Sequence, residues 1–100
     1  MSEQDPALLT NTHLMSAPAG ERGRLVEAYL LASICALHPY VAQTVEASSH
    51  LADLAIDSLQ IVELKFGLDQ VLGQEVDVEL IINNPTVGEL AANGVRAAGL

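Results

Sequence analysis

The sequence predicts an all-α domain: a helical bundle of three main helices and one short one, with a long first connection. Half of the 100 residues are hydrophobic, yet aromatics make up only 3% (Tyr29, Tyr40 and Phe66), so the core must be built from Leu, Ile, Val and Ala. Ala and Leu are strong helix formers, and the aromatic residues that favour strands are scarce. Apolar residues recur at helical spacing in three stretches, whereas strand-type alternation appears only over residues 75–78, too short to build a sheet.

Residues 1–19 mix Pro6, Pro18, Asn11, Ser16 and two threonines without sustained periodicity. They read as a flexible tail with one weak helical turn at Ala7–Leu9, which leaves residues 20–100 as the domain. The first main helix starts near Gly20–Glu21 and runs to about Leu37. Val26, Leu30, Ile34 and Leu37 recur along one face, with Leu25 and Tyr29 beside them, and His38-Pro39 ends the run.

Residues 38–56 form a connection longer than compact domains usually tolerate without structure. Its apolar residues Val41, Val45, Leu51, Leu54 and Ile56 predict that it docks on the bundle, with a short helix near residues 46–52. Leu54 and Ile56 are expected to be buried.

The second main helix opens at Asp57-Ser58. Asp57 can serve as N-cap with Gln60 three residues on, a capping-box arrangement, and the periodic stretch continues to Leu72 before Gly73 stops it. A turn or two of helix fits Val78–Ile82. Thr86 with Glu89, just after Pro85, is a second capping box and opens a last helix to about Ala97, with Val87, Leu90, Ala91 and Val95 as its apolar positions.

Charge narrows the function classes. Thirteen acidic residues face four basic ones, a net charge of −9, and only Lys65 and Arg96 are basic after Arg24. No basic stripe exists to displace counterions from a nucleic acid, and an anionic membrane surface would repel the chain. Cys35 is the single cysteine and cannot form an internal disulfide; no Cys/His group has metal-ligand spacing. A small core position suits Cys35, because a reactive thiol needs an electropositive setting. The N-terminus has no basic segment ahead of an apolar run, and the longest apolar run, near Tyr29–Leu37, is half of what a bilayer span requires. A soluble, cytoplasmic, monomeric domain is expected.

The second helix carries two apolar sets. Ile61, Leu64, Leu68 and Leu72 share one side as an ordinary core stripe. Leu59, Val62 and Phe66 lie on the opposite side, interleaved with Glu63, Asp69 and Gln70. This second set is either further core beneath the long connection or an exposed contact surface rimmed by acid. Ser58 and Asp57 are ordinary helix-start residues. A hydroxyl there could also carry a phosphate, which the free N–H groups and positive dipole end of a helix N-terminus favour. No histidine in the local motif would make Ser58 a catalytic nucleophile, and His13, His38 and His50 have no partner assigned by sequence.

Leu51-Ala52-Asp53-Leu54-Ala55-Ile56-Asp57-Ser58-Leu59, followed by Val62-Glu63-Leu64, resembles the signature of the acyl carrier protein family around its modified serine. Gly73-Gln74-Glu75-Val76, Leu80-Ile81-Ile82, Asn84-Pro85-Thr86-Val87 and Glu89-Leu90 follow in that family's order and spacing. The resemblance covers about residues 20–97. It implies a four-helix bundle of the acyl-carrier type, not an enzyme, with a phosphopantetheine arm on Ser58. A phosphopantetheinyl transferase would install the arm from coenzyme A, and acyl groups would ride on it as thioesters.

The resemblance also matches Asp57 to the residue preceding the modified serine. Leu59 and Glu63 match positions that commonly face partner enzymes such as ketosynthases and acyltransferases; Val62, Phe66 and Asp69 share their face. Asp57, rather than glycine or histidine, leans toward fatty-acid or polyketide carriers, and Asn84-Pro85-Thr86-Val87 toward the polyketide branch. A peptidyl or aminoacyl carrier, or an unmodified interaction module of the same fold, are the alternatives. Because the chain begins and ends near the carrier boundaries, a discrete protein is expected. Three positions depart from the family pattern: Ala55 stands where many relatives have glycine, Asp77 replaces a common proline, and Phe66 is bulkier than usual.

Overall fold

A computed structural model describes residues 5–37, 45–54 and 56–100. Helix α1 spans Asn11–Ser16, α2 Ala19–Leu37, α3 Ser58–Leu72, α4 Glu79–Ile82 and α5 Val87–Ala97, with 3-10 turns at Pro6–Leu8 and Leu51–Leu54. No strand occurs among the described residues; their nearest approach to one is an isolated bridge between His50 and Thr86. The three long helices α2, α3 and α5 and the short α4 are those the sequence predicts.

The core is aliphatic apart from Tyr29. Val26, Leu30 and Ile34 of α2 meet Leu64, Leu68, Val71 and Leu72 of α3 and Val87, Leu90 and Ala91 of α5. Helix α2 packs on both α5 and α3, so it is the central element. Gly67 allows α2 and α3 to approach closely, because a Cβ there would fall on the Tyr29 hydroxyl oxygen. Helix α3 ends where Gly73 turns left-handed at φ 76°, a conformation that costs a residue with a Cβ.

The described part of the long connection is anchored by its apolar residues, with Leu54 buried as expected but Ile56 less buried than expected. Leu51 and Leu54 are buried, while Val45 and Ile56 are half-buried against the core. The short helical segment lies at the far end of the expected stretch, at Leu51–Leu54. Backbone chemistry pins it to the start of α5, whose first N–H groups have no partner inside the helix. Val87 and Gly88 donate instead to the carbonyls of Ser49 and Ala47 at 3.0 and 2.9 Å. Leu51 donates to the Pro85 carbonyl at 3.1 Å, and Ala52 to the Asn84 side-chain oxygen at 2.9 Å. Val41, His38 and Ala55 lie outside the described residues.

The sequence reading places no core residue before position 20; the structure places Leu14 there, fully buried. Thr10 caps α1 by accepting from His13 N–H, and Asn11 Nδ2 donates to the Val71 carbonyl at 3.0 Å, tying α1 to the end of α3. Arg22 clasps the far end, donating to the carbonyls of Ala17, Met15 and Leu100 at 3.2, 3.2 and 3.3 Å. A cation gathered on carbonyls that end two helices is favourable for charge as well as hydrogen bonding. One helical turn with one core side chain is too short to show periodicity, so the pattern could not reveal it.

Candidate functional site

Ser58 is the first residue of α3, and its position follows from the cap before it. Asp57 is extended, at φ −83° and ψ 176°, and its carboxylate accepts from the Gln60 N–H at 2.8 Å. The Gln60 side chain returns the bond, accepting from the Asp57 N–H at 3.1 Å. This reciprocal box holds the helix start without using the serine. Ser58 is exposed, and its hydroxyl makes no hydrogen bond among the described residues. The backbone N–H groups of Ser58 and Leu59 belong to the first turn, which has no carbonyl ahead of it inside the helix.

These residues fit a covalent phosphodiester. The hydroxyl is accessible, with no hydrogen bond among the described residues, and the helix start favours negative charge. The cap does not depend on the atom that would be modified.

Beyond Ser58 the outer face of α3 is apolar and solvent-facing. Leu59 is 68%, Val62 43% and Phe66 59% exposed, with Glu63 exposed among them. The open choice between extra core and contact surface therefore falls on surface. Two further large apolar side chains, Val78 and Ile82 in and before α4, are also exposed.

Asp69 does not join this face. Its side chain is mostly covered: one oxygen accepts from the Val76 N–H at 2.7 Å, and the other pairs with Lys65 at 2.8 Å. Asp69 thus fastens the chain after α3, and the wheel position that put it beside Phe66 is the edge of that face. Asp77, at the position where a proline is common, accepts from the Glu79 N–H at 2.9 Å and so supplies a local cap for the short α4. Cys35 is half-buried, and no group of metal-ligating side chains occurs among the described residues. None of their helices is long and apolar enough to cross a membrane.

A small helical bundle that presents an exposed serine at a helix start has the build of a carrier. The family model for the phosphopantetheine attachment site matches residues 28–93, and the chain belongs to that family. Its domain carries a covalently attached phosphopantetheine and is not a catalyst; such domains meet a phosphopantetheinyl transferase and acyl-assembly enzymes. No curated protein and no solved structure gave a match.

Proposed function

We propose that this carrier holds acyl intermediates as thioesters on a phosphopantetheine arm attached to Ser58, in polyketide or related biosynthesis. The observation that carries the assignment of the serine is the division of labour at the start of α3. Asp57 and Gln60 complete the cap, and the Ser58 hydroxyl is left exposed beside them. The chain's own contribution is presentation: a rigid helix start holds the attachment oxygen clear of the bundle. Leu59, Val62 and Phe66 then offer apolar contact to an enzyme, while Glu63 and the overall charge of −9 steer basic surfaces toward it. The acyl preference rests on Asp57 and on Asn84-Pro85-Thr86-Val87, as the family resemblance implies.

Intact mass after incubation with coenzyme A, magnesium and a broad-specificity transferase tests the serine. The wild type should gain one phosphopantetheinyl group, and Ser58→Ala none. Because Asp57 does the capping, Ser58→Ala should stay folded, within about 0.5 kcal/mol of wild type. A pantetheinylated Ser58→Ala protein would show that the arm sits elsewhere. Loading with acyl-coenzyme A against aminoacyl donors then separates the acyl reading from a peptidyl one.

A further inference from the structure

Lys65 is the single lysine of the sequence, and so its single side-chain primary amine. The other three basic residues, Arg22, Arg24 and Arg96, stay protonated and do not act as amine nucleophiles. Lys65 also shares an edge of α3 with Ser58. Seven residues bring an α-helix to about 20° short of two full turns and advance it about 10 Å, and both residues belong to this one helix. Val62, exposed, lies between them along the edge. An arm that holds a phosphodiester and two amide units spans roughly 15 Å at full stretch, as a peptide of similar bond count does, and outreaches that separation.

For a thioester carrier this placement is a hazard, because a tethered thioester meets a neighbouring amine at high effective concentration. A free Lys65 amine would add its lone pair to the thioester carbonyl. The carbon–sulfur bond would break, and the proton lost by nitrogen would pass to the leaving sulfur. An amide on Lys65 and a free pantetheine thiol would remain, and the cargo could no longer be handed on. The structure holds the amine back. The Lys65 side chain is only 16% exposed, and its Nζ donates to Asp69 Oδ2 at 2.8 Å. An ammonium in that contact has no lone pair to offer; it must leave the carboxylate and lose a proton before it can attack. Asp69 is itself pinned, since its other oxygen accepts from the Val76 N–H at 2.7 Å. Helix stability does not explain the pair. A lysine four residues ahead of an acid is the weaker of the two orders on a helix, and fastening Val76 uses only one carboxylate oxygen.

We infer that Lys65 is a latent acyl-acceptor site beside the Ser58 arm, and that Asp69 keeps it closed and so preserves the carried thioester. This rests on the carrier reading of Ser58 and gives Asp69 a positioning role in addition to its bond with Val76. The site takes any acyl group the arm carries, because the amine attacks the carbonyl that all such thioesters share.

The test loads the full chain at Ser58 with an acetyl-pantetheine arm and incubates it in mildly alkaline buffer. Neutral hydroxylamine then strips every thioester, including any formed by exchange onto Cys35, and peptide mass mapping measures the acetyl group left as an amide on Lys65. Asp69→Asn keeps an oxygen for the Val76 N–H and sets an uncharged NH2 group where the ion-pair oxygen stood. Checked for an unchanged helical spectrum, this variant should form the Lys65 amide about fivefold or more faster than wild type, because the fraction of free amine sets the rate. The rate should not depend on protein concentration, and Lys65→Arg in the same background should abolish the amide. A second measurement needs no variant. Succinimidyl acetate should label Lys65 about tenfold or more slowly in the folded wild type than in the same protein unfolded in urea, since labelling of the folded chain must wait for local opening. A loaded, folded Asp69→Asn protein that acylates Lys65 no faster than wild type overturns the inference and leaves the carrier reading standing. Equal labelling of folded and unfolded wild type overturns it as well. Absence of any mass gain at Ser58 overturns both.

Discussion

The two faces of α3 are made of the same kind of residue and meet opposite ends. Leu68 is fully buried and Leu64 nearly so, while Leu59 and Phe66, on the other side of the same helix, are 68% and 59% exposed. Hydrophobicity alone does not separate them. Helix α2 does, by covering one side through Tyr29, Leu30 and Ile34 and leaving the other to solvent. A protein of this size has too little covering structure to bury both sides of a helix. The uncovered side is the one that follows on from Ser58, which is why it is the side proposed as a contact surface.

The largest effect that would break this comparison is expected on the buried side. Leu68→Ala should destabilise the protein by about 2–5 kcal/mol, the range for large-to-small changes in a packed core. Urea denaturation measures it, and an unchanged midpoint would mean that the inner face is not packed as described. Gly67→Ala probes the seam between the faces. The added methyl falls on the Tyr29 hydroxyl, so the ring must move or α2 must back away, at a cost of about 1–3 kcal/mol. Tyr29→Phe in the same background should recover part of that loss, which thermal denaturation of the two variants would show.

On the exposed side stability should hardly change and recognition should. Phe66→Ala is expected to stay within about 1 kcal/mol of wild type, yet to slow processing by at least one partner enzyme. Glu63→Lys should slow association at low salt and lose much of its effect as salt rises, because the steering field is screened. A loss of about 3 kcal/mol or more for Phe66→Ala, the cost of removing a core aromatic, would place Phe66 inside and remove the contact face.

The smallest effect lies at α5. The Thr86 backbone N–H, at 2.8 Å from a Glu89 carboxylate oxygen, holds that carboxyl below its ordinary value of 4.5. Its folded pKa is depressed, so the capping contribution is present above the unfolded value and is lost as pH falls through the folded one. Side-chain carboxyl NMR titration should find Glu89 titrating below 4.5, and Thr86→Ala, which keeps the backbone N–H and removes only the hydroxyl, should leave most of that shift in place.

By itself the sequence determined the helices whose signals are local. The Asp57–Gln60 and Thr86–Glu89 boxes and the Gly73 stop depend on atoms a few residues apart, so α3 and the start of α5 were legible to the residue. The place of Ser58 at the start of α3 was legible for the same reason, and so were Leu64, Leu68 and Leu72 of its core stripe, although Ile61 is only half-buried and the buried Val71 was not foreseen. Tertiary structure decided what depends on distant partners. Leu14 became core because α1 docks against the end of α3, and Asp69 left the outer face because Val76 and Lys65 claim its carboxylate. The choice between core and surface for Phe66 was settled by where α2 lies. Periodicity fixes which residues share a side of a helix, but the side that stays dry is set by the packing of another element, which no local spacing encodes.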